Sequence, residues 1–545
     1  MYLEQQPDKI KNLCKRLIAR FEEMKGSRTT WESHWQECME YIIPRKEDVT
    51  SESLPGDKKT DLFDSTAISA NQLLAGTLHG MLTNPSVRFF DLVSGDPKQL
   101  GNEDYNRWLQ EVADAMFAVL NNSNFQTEIH EIYIDLGAIG TASLYMGEDE
   151  KNVIHFSARP IKEIFIKENN LGLIDIVYRC FKWDARQIVQ EFGEEKTPKL
   201  IYEMYEKGDT KKFEIIHAVE PSEDLEYDSE IKKHVFPYKS CYILKEECYL
   251  LNEGGFKEFP YAVPRWTKTT GEEYGRGPGM DVLSDIKMVN KMMETVIKGA
   301  QMTVTPPMMV ADDGVVGKVR LTPAGITIIR PFSGNEVPIR PLITDARIDF
   351  GYQAVDDVRR RIKAGFYADQ LQMSSGPQKT ATEVMQFAEQ QLRFMGPILG
   401  RQHFEFLSPV IKRLFGIMTR KKLISPPPAG IPGFDVRYSS LIARAQRMGE
   451  GQNLTRAISV VAPIGQIDPK IFDLLNGDAA LRYIFDIYGI PAKIMNDNRT
   501  VQESRKAREQ AQQKMMKEQQ AAQQADIASK TMPGMAQVIQ AQQQQ

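Results

Sequence analysis

Apolar residues recur three and four positions apart through the first quarter of the chain, the spacing that puts them on one face of a helix. Ile10, Leu13, Leu17 and Phe21 begin one such face, and Trp31, Trp35 and Met39 continue it. This predicts a helix over 8–43, broken at Gly26 and ended by Pro44. Residues 47–60 are polar and read as a loop. A second helix is expected over Leu62–Leu82, with Asp64, Ser65 or Thr66 as its cap and Asn84-Pro85 as its stop. A third spans Leu100–Leu120, and a fourth runs from Phe125 to Ile139, where Gly140 ends it.

The period then changes to two. SLYM, VIHFSA, EIFIKE and LIDIVYRC, followed by KFEIIHAVE and SCYILKEECYLL, alternate as half-buried strands do. Residues 142–265 are therefore read as mostly β, with one short helix at 184–192 and strands favoured throughout 200–265. Helical spacing returns after GRGPG, over Arg276–Met302. There Val282, Ile286, Val289, Met293 and Val296 form one seam. Short strands broken by Pro and Gly fill 306–343, and a helix over Ala346–Gly365 carries Val355, Val358 and Ile362. A loop at 366–379 leads to a long helix over Thr380–Lys422. Kinks are expected in it at Gly396-Pro397 and Ser408-Pro409, and Pro426-Pro427-Pro428 ends it. Shorter helices follow to about residue 495. The last stretch, 501–545, holds fourteen Gln. Its first part is expected to be helical when packed on a neighbour and its final Gln run disordered.

The 545 residues are 42% hydrophobic and 26% charged, which is globular composition, and the length suggests three or four domain-sized units. A net charge of −5 excludes a uniformly basic DNA-coating surface, so nucleic-acid contact would be local. The cysteines Cys14, Cys38, Cys180, Cys241 and Cys248 form no C-x-x-C pair, and the seven histidines no H-x-x-x-H, which argues against zinc and for free thiols. Without a signal-like N-terminus or an apolar run of about 20 residues, a soluble protein made in the cytoplasm is expected.

No stretch has the residues that catalysis needs. GRGPG at 275–279 is glycine-rich, but Pro278 removes a backbone donor and no acidic partner sits on a following parallel strand. It reads as a sharp turn that aims the next helix. SSGPQKT at 374–380 lacks the first Gly of a phosphate-binding loop. Asp356-Asp357 point apart on a helix, and Asp312-Asp313-Gly314 reads as a hairpin turn. No Ser lies in G-x-S-x-G, and His79 reads as a hydrogen-bonded, partly buried residue. The stretch 393–422 sets Arg393, Arg401, Lys412, Arg413, Arg420, Lys421 and Lys422 against one acid, Glu405. That excess suits either phosphate contact or a plain solvated face.

Several segments, in this order, resemble the head-to-tail connector (portal) family of short-tailed bacteriophages, the podophages. They are Trp31, Trp35 and Tyr41-Ile42-Ile43-Pro44; FDSTAISANQLLAGTLHGMLTNPSVRFFDL at 63–92; YGRGPGMDVLSDIKMVNKM at 274–292; TATEVMQFAEQQ at 380–391; and MGPILGRQ at 395–402 with LSPVIKRLF at 407–415. The resemblance covers about 28–430. It implies an α+β, mostly α fold with wing, stem, clip and crown regions, assembled as a ring of usually twelve copies. The wing would take 1–275, the first stem helix 276–305, the clip 306–343 and the second stem helix 344–365. The tunnel loop would be 366–379, a long wing helix 380–440, the crown 441–500, and a Gln-rich tail 501–545. Such a ring passes DNA for genome packaging and ejection and joins head to tail. It has no catalytic residues, cofactor or metal. Implied partners are double-stranded DNA without sequence specificity, terminase, a tail adaptor, and capsid and scaffolding proteins, with no membrane. The implied place is the head–tail vertex of the virion. Candidates to face the channel are Lys287, Lys291, Lys298, Arg359, Arg360, Arg361, Lys363, Gln372 and Lys379. Another virion protein such as a tail adaptor, or a nucleic-acid-handling enzyme, is the alternative.

Overall fold

A computed structural model describes residues 7–46, 48–50, 61–95, 103–222, 236–311, 322, 325–329, 339–341, 348–368, 395–426, 434–438, 451, 454–460, 477–487 and 498–542. The fold is α+β and mostly helical. The chain forms two compact units rather than three or four, because segments distant in sequence share cores. The larger holds residues to Val93, Glu111–Pro427 and Phe434–Ala443, and the smaller holds Ser94–Gln110, Pro428–Gly433 and Arg444–Gln545.

In the larger unit, α1 (Asp8–Ile42) is unbroken at Gly26. A mid-helix glycine costs about 1 kcal/mol, and the side chain two residues on opposes that cost. Arg28, buried, donates to the backbone carbonyls of Ile161, Lys162 and Ile164 and to Glu32. Its guanidinium lies 3.7 Å over the Phe165 ring. The predicted stop at Pro44 holds, and Pro44–Lys46 make a short 3-10 turn. Helix α2 (Thr66–Leu82) starts later than expected, where the Asp64 carboxylate accepts from the Thr66 amide at 2.9 Å. Helices α3 (Glu103–Asn122) and α4 (Phe125–Ile139) follow, and α3 passes from the smaller unit into the larger at Glu111.

The β region is built from β2 (Leu144–Asp149), β3 (Val153–Ala158), β4 (Ile164–Glu168), β5 (Ile174–Asp184), β6 (Lys212–Pro221), β7 (Tyr238–Leu244), β8 (Tyr249–Phe256) and β9 (Tyr261–Ala262). β4 to β8 form an antiparallel meander in sequence order, and β3-β2-β9 a smaller antiparallel sheet. Successive residues of a strand face opposite sides, and β6 shows it. Phe213 and Ile215 pack with α5 (Ala185–Phe192) and α6 (Lys199–Glu206), while Ile216 and Ala218 pack with Cys14, Leu17, Phe21 and Met24 of α1. Helix α5 matches the expected short helix and carries a capping box between Asp184 and Gln187. Helix α6 falls where strands were expected. LIYEMYE is rich in residues that favour strands, yet it packs through Ile201 as a helix.

The GRGPG segment explains its glycines. A Cβ on Gly275 would meet the Gly140 carbonyl oxygen at 2.5 Å, one on Gly277 the Gly140 nitrogen at 2.6 Å, and one on Gly279 the Ala138 carbonyl oxygen at 2.6 Å. Gly140 itself has φ +72° and closes α4. The segment is pressed backbone to backbone against the end of α4. Pro278–Asp281 then form one helical turn that leads into α7 (Leu283–Val304).

Beyond α7, β10 (Met308–Ala311) pairs in parallel with β11 (Ile326–Ile329) and antiparallel with β12 (Ile339–Pro341). The Asp312-Asp313-Gly314 turn expected after β10 lies outside the described residues. Helix α8 spans Ile348–Gly365. The long helix is described from 395. Gly396-Pro397 lie in its first described turn, so the kink expected there falls at the join with residues outside the described ones; the helix takes a π turn at His403–Leu407 just before Ser408-Pro409, and ends as α9 (Ser408–Arg420), six residues ahead of the proline run. Two strands not foreseen, β1 (Phe90–Ser94) and β13 (Phe434–Tyr438), pair with each other.

In the smaller unit, α10 (Gly477–Ile487) and α11 (Asn498–Gln542) are joined by a bidentate Arg505–Asp478 pair at 2.6 and 2.8 Å. The helix takes in the first part of the Gln-rich tail, where Ala and Gln are good helix formers; of the final Gln run expected to be disordered, residues 543–545 lie outside the described ones.

The glycine contacts set a test. Gly277→Ala should destabilise by about 1–3 kcal/mol through overpacking. Gly299→Ala in α7, where a Cβ meets nothing within 4 Å, should be neutral or stabilising by up to about 1 kcal/mol. Denaturant unfolding of both variants measures the difference.

Candidate functional site

Helices α7 and α8 pack against each other although more than 40 residues separate them. Gly365 faces Val282 and Gly351 faces Val296, where added Cβ atoms would come within 2.2 and 2.9 Å. The two contacts fix the pair as antiparallel and in close approach. Val355, Val358 and Ile362, on the same face of α8 as its two glycines, are buried, as are Ile286 and Val289 on the Val282–Val296 face of α7. The expected α7 stripe meets α8 at both Val282 and Val296. Past Val289 no residue of α7 is fully buried, so Met293 and Val296 are only partly covered. Val304 is 82% exposed and Tyr352 of α8 45%.

A short segment before α2 is clamped to both helices. Asn290 of α7 accepts from the Phe63 amide at 2.7 Å and from the Asp64 amide at 3.3 Å, and donates to the Asp61 carbonyl at 3.3 Å. Arg359 of α8 places Nε and Nη2 each 2.8 Å from Oδ2 of Asp64, whose side chain is only 2% exposed. Burial pushes the Asp64 carboxyl up, but hydrogen bonds from Thr66 and Arg359 outweigh it and hold the group below its ordinary value. Neither Asn290 nor the Asp64–Arg359 pair was foreseen as a clamp. The signals available were a polar residue beside an apolar seam and a carboxylate that sequence read only as a cap.

The other candidate cations are distributed along the pair. Lys287 lies 2.7 Å from Glu37 of α1. Lys291 and Lys298 flank Glu294 at 2.8 and 2.5 Å, and hydrogen bonds from the two lysines hold the Glu294 carboxyl down to about 2. Arg359 also reaches Asp356 at 3.2 Å. Arg360 lies 3.3 Å from Asp357, and Arg361 reaches across to Asp285 at 3.6 Å. Lys363 is exposed in the last turn of α8. Gln372 and Lys379 lie outside the described residues. Together α7 and α8 carry seven bases and five acids, so the wall they present is close to neutral.

The basic stretch before the proline run is different. Arg413 is 1% exposed and binds Glu258 at 2.9 Å, while Arg420 binds Glu258 at 2.7 Å and Glu148 at 2.6 Å. Lys421 donates to the Asp149 carbonyl. Arg401 pairs with Glu405 in the π turn, and Glu405 also receives Arg265, which is buried and paired with Glu168. Arg413, Arg420 and Lys421 hold the helix onto the β region, whereas Lys412 and Lys422 are exposed; Arg393 lies outside the described residues. Nor do the residues weighed for enzymes form a centre. His79 packs against His130, and burial lowers its pKa. Among the described residues no cluster of three potential metal ligands occurs, and no helix is long and apolar enough to cross a membrane.

The clamp gives a prediction. Asp64→Ala should remove roughly 1.5–3 kcal/mol by leaving Arg359 and the Thr66 amide without their acceptor. Because the folded pKa of Asp64 is depressed, its contribution is full above the unfolded value and is lost as acidification below about pH 4 protonates it. Amide exchange at residues 63–66, corrected for intrinsic rates, should rise at neutral pH in the variant and only below that pH in the parent.

Comparison with known proteins gives a consistent result. The family model described as bacteriophage head to tail connecting protein matches residues 14–495. The probable portal protein of Bordetella phage BPP-1 is 29% identical over 525 residues, 94% of this chain and 93% of that protein. The portal protein of Salmonella phage epsilon15 is 28% identical over 535 residues, 95% of each. The portal protein of Escherichia phage T7 is 21% identical over 484 residues, 83% of each.

Proposed function

Because the chain belongs to the bacteriophage head to tail connecting protein family, we propose that it is the portal subunit of a short-tailed phage. The family is a structural component of the virion, not an enzyme. Copies of the chain, twelve in the usual plan, close a ring at the head–tail vertex through which DNA is packaged and later ejected.

One observation carries the ring. The distal half of the α7–α8 pair bears Met293, Ile297 and Val304, yet a single chain fully buries none of them. An apolar helix face left half covered needs a neighbour. In a closed ring the same pair from the next copy supplies it through a heterologous contact.

In this reading α7 and α8 are the two stem helices, 276–305 and 344–365, with their charged faces toward the tunnel. A duplex must slide there in both directions. Each firmly neutralised phosphate steepens the salt dependence of binding and slows movement. Intrachain pairing of Lys291, Lys298, Arg360 and Arg361 moderates that grip and leaves enough positive charge to centre the duplex without reading bases. Residues 306–343 form the clip, where the exposed Ile326 of β11 supports docking of terminase and then of a tail adaptor. Residues 1–275 and 380–440 form the wing against capsid and scaffolding proteins, 366–379 the tunnel loop and 441–500 the crown. The chain is made in the host cytoplasm.

Negative-stain images of the purified protein should show rings with a central hole; monomers or sheets would overturn the proposal. Reversing Arg360, which pairs only within its own helix, to Glu should cut packaged DNA several-fold while ring yield stays unchanged. Reversing Arg359, which holds Asp64, should instead lower the yield of folded rings.

A further inference from the structure

Four of the five cysteines converge on one place. Cys14 of α1 and Cys241 of β7 lie in the core under the five-stranded sheet, and Cys180 and Cys248 pack against it. Cys248 ends the turn between β7 and β8 and has the positive φ of +51°. Its amide lies 3.4 Å from the Lys245 carbonyl. Its sulfur approaches the Lys11 carbonyl at 4.0 Å, one helical turn before Cys14, and Cys248 packs against the same core cluster that holds Cys14. The same turn is held on α1 further along. Lys245 binds Glu22 at 3.1 Å and lies over the Phe21 ring.

We propose that Cys14 and Cys248 are a disulfide cross-linking site, closed by a small-molecule disulfide such as oxidised glutathione when the protein meets an oxidising medium. Cys248 is the entry point because it is partly exposed, whereas Cys14 is fully buried. The Cys248 thiolate attacks glutathione disulfide, forming a mixed disulfide and releasing one glutathione thiolate. The Cys14 thiolate then attacks the Cys248 sulfur, forming the protein disulfide and releasing the second. The protons of the two protein thiols end on the two glutathiones, so the protein is oxidised by two electrons and the glutathione disulfide reduced by two. The second step limits the rate. Burial, then the neighbouring Cys248, push the Cys14 thiol up to about 12, so little of it is thiolate at neutral pH. The bond would weld the first turns of α1 to a sheet turn more than 200 residues away.

The test uses the full-length chain, purified reduced, incubated with oxidised glutathione, alkylated in denaturant and mapped without reduction. A peptide linking Cys14 to Cys248 is expected, lost on reduction and forming about tenfold faster per pH unit between roughly pH 7 and 9. Cys248→Ser should abolish it with an unchanged circular dichroism spectrum, and Cys241→Ser should leave it intact. Full alkylation of Cys14 after oxidation, with glutathione remaining on Cys248, would overturn the proposal. So would a bond from Cys14 to Cys241.

Discussion

The close antiparallel approach of α7 and α8 is the constraint on which the functional reading depends. Two glycines allow it: Gly351 lets Val296 in, and Gly365 does the same for Val282. Once the axes are that close, Ile286 and Val289 meet the Val355, Val358 and Ile362 side of α8, and Arg361 reaches Asp285. The Asp64–Arg359 pair and the Asn290 hydrogen bonds then tie the segment before α2 to both helices. An ion pair whose carboxylate is buried is a poor source of net stability, but it is costly to break by removing its arginine. It therefore fixes register more than it adds strength. The exposed Lys291–Glu294–Lys298 ladder contributes little to folding and mainly sets the sign of the surface.

Much of this was legible because local rules and tertiary structure agreed. Helix α4 begins at an aromatic residue and stops at a glycine with positive φ, and sequence placed both ends. The seam of α8 was read from Val355, Val358 and Ile362 alone, and each is buried. GRGPG was read as a turn because proline is a poor phosphate cradle. The structure adds the closer reason that only glycine fits against the end of α4.

The remainder was hidden in partners that no local pattern names. Seven bases against one acid looked like an open surface at 393–422, yet Arg413 is buried against a glutamate 155 residues away. Gly26 looked like a break because the anchoring of Arg28 on 161–164 is a long-range event. Helix α6 looked like strand because its aromatic and β-branched content is the usual strand signal, overruled here by packing through Ile201. The parallel pairing of β10 with β11 is a choice of strand direction that alternation along a single strand cannot reveal.

The π turn at His403–Leu407 has a geometric consequence for the helix after it. An extra residue in a helical turn rotates everything downstream by about 100° relative to an uninterrupted α-helix. That rotation aims Arg413 and Arg420 at Glu258 and Glu148, while Glu405 within the turn itself meets Arg265. Loss or gain of one residue anywhere between 403 and 412 would swing these arginines off their acceptors and carry Lys412 toward the apolar side. The length of this stretch is therefore as tightly specified as its composition.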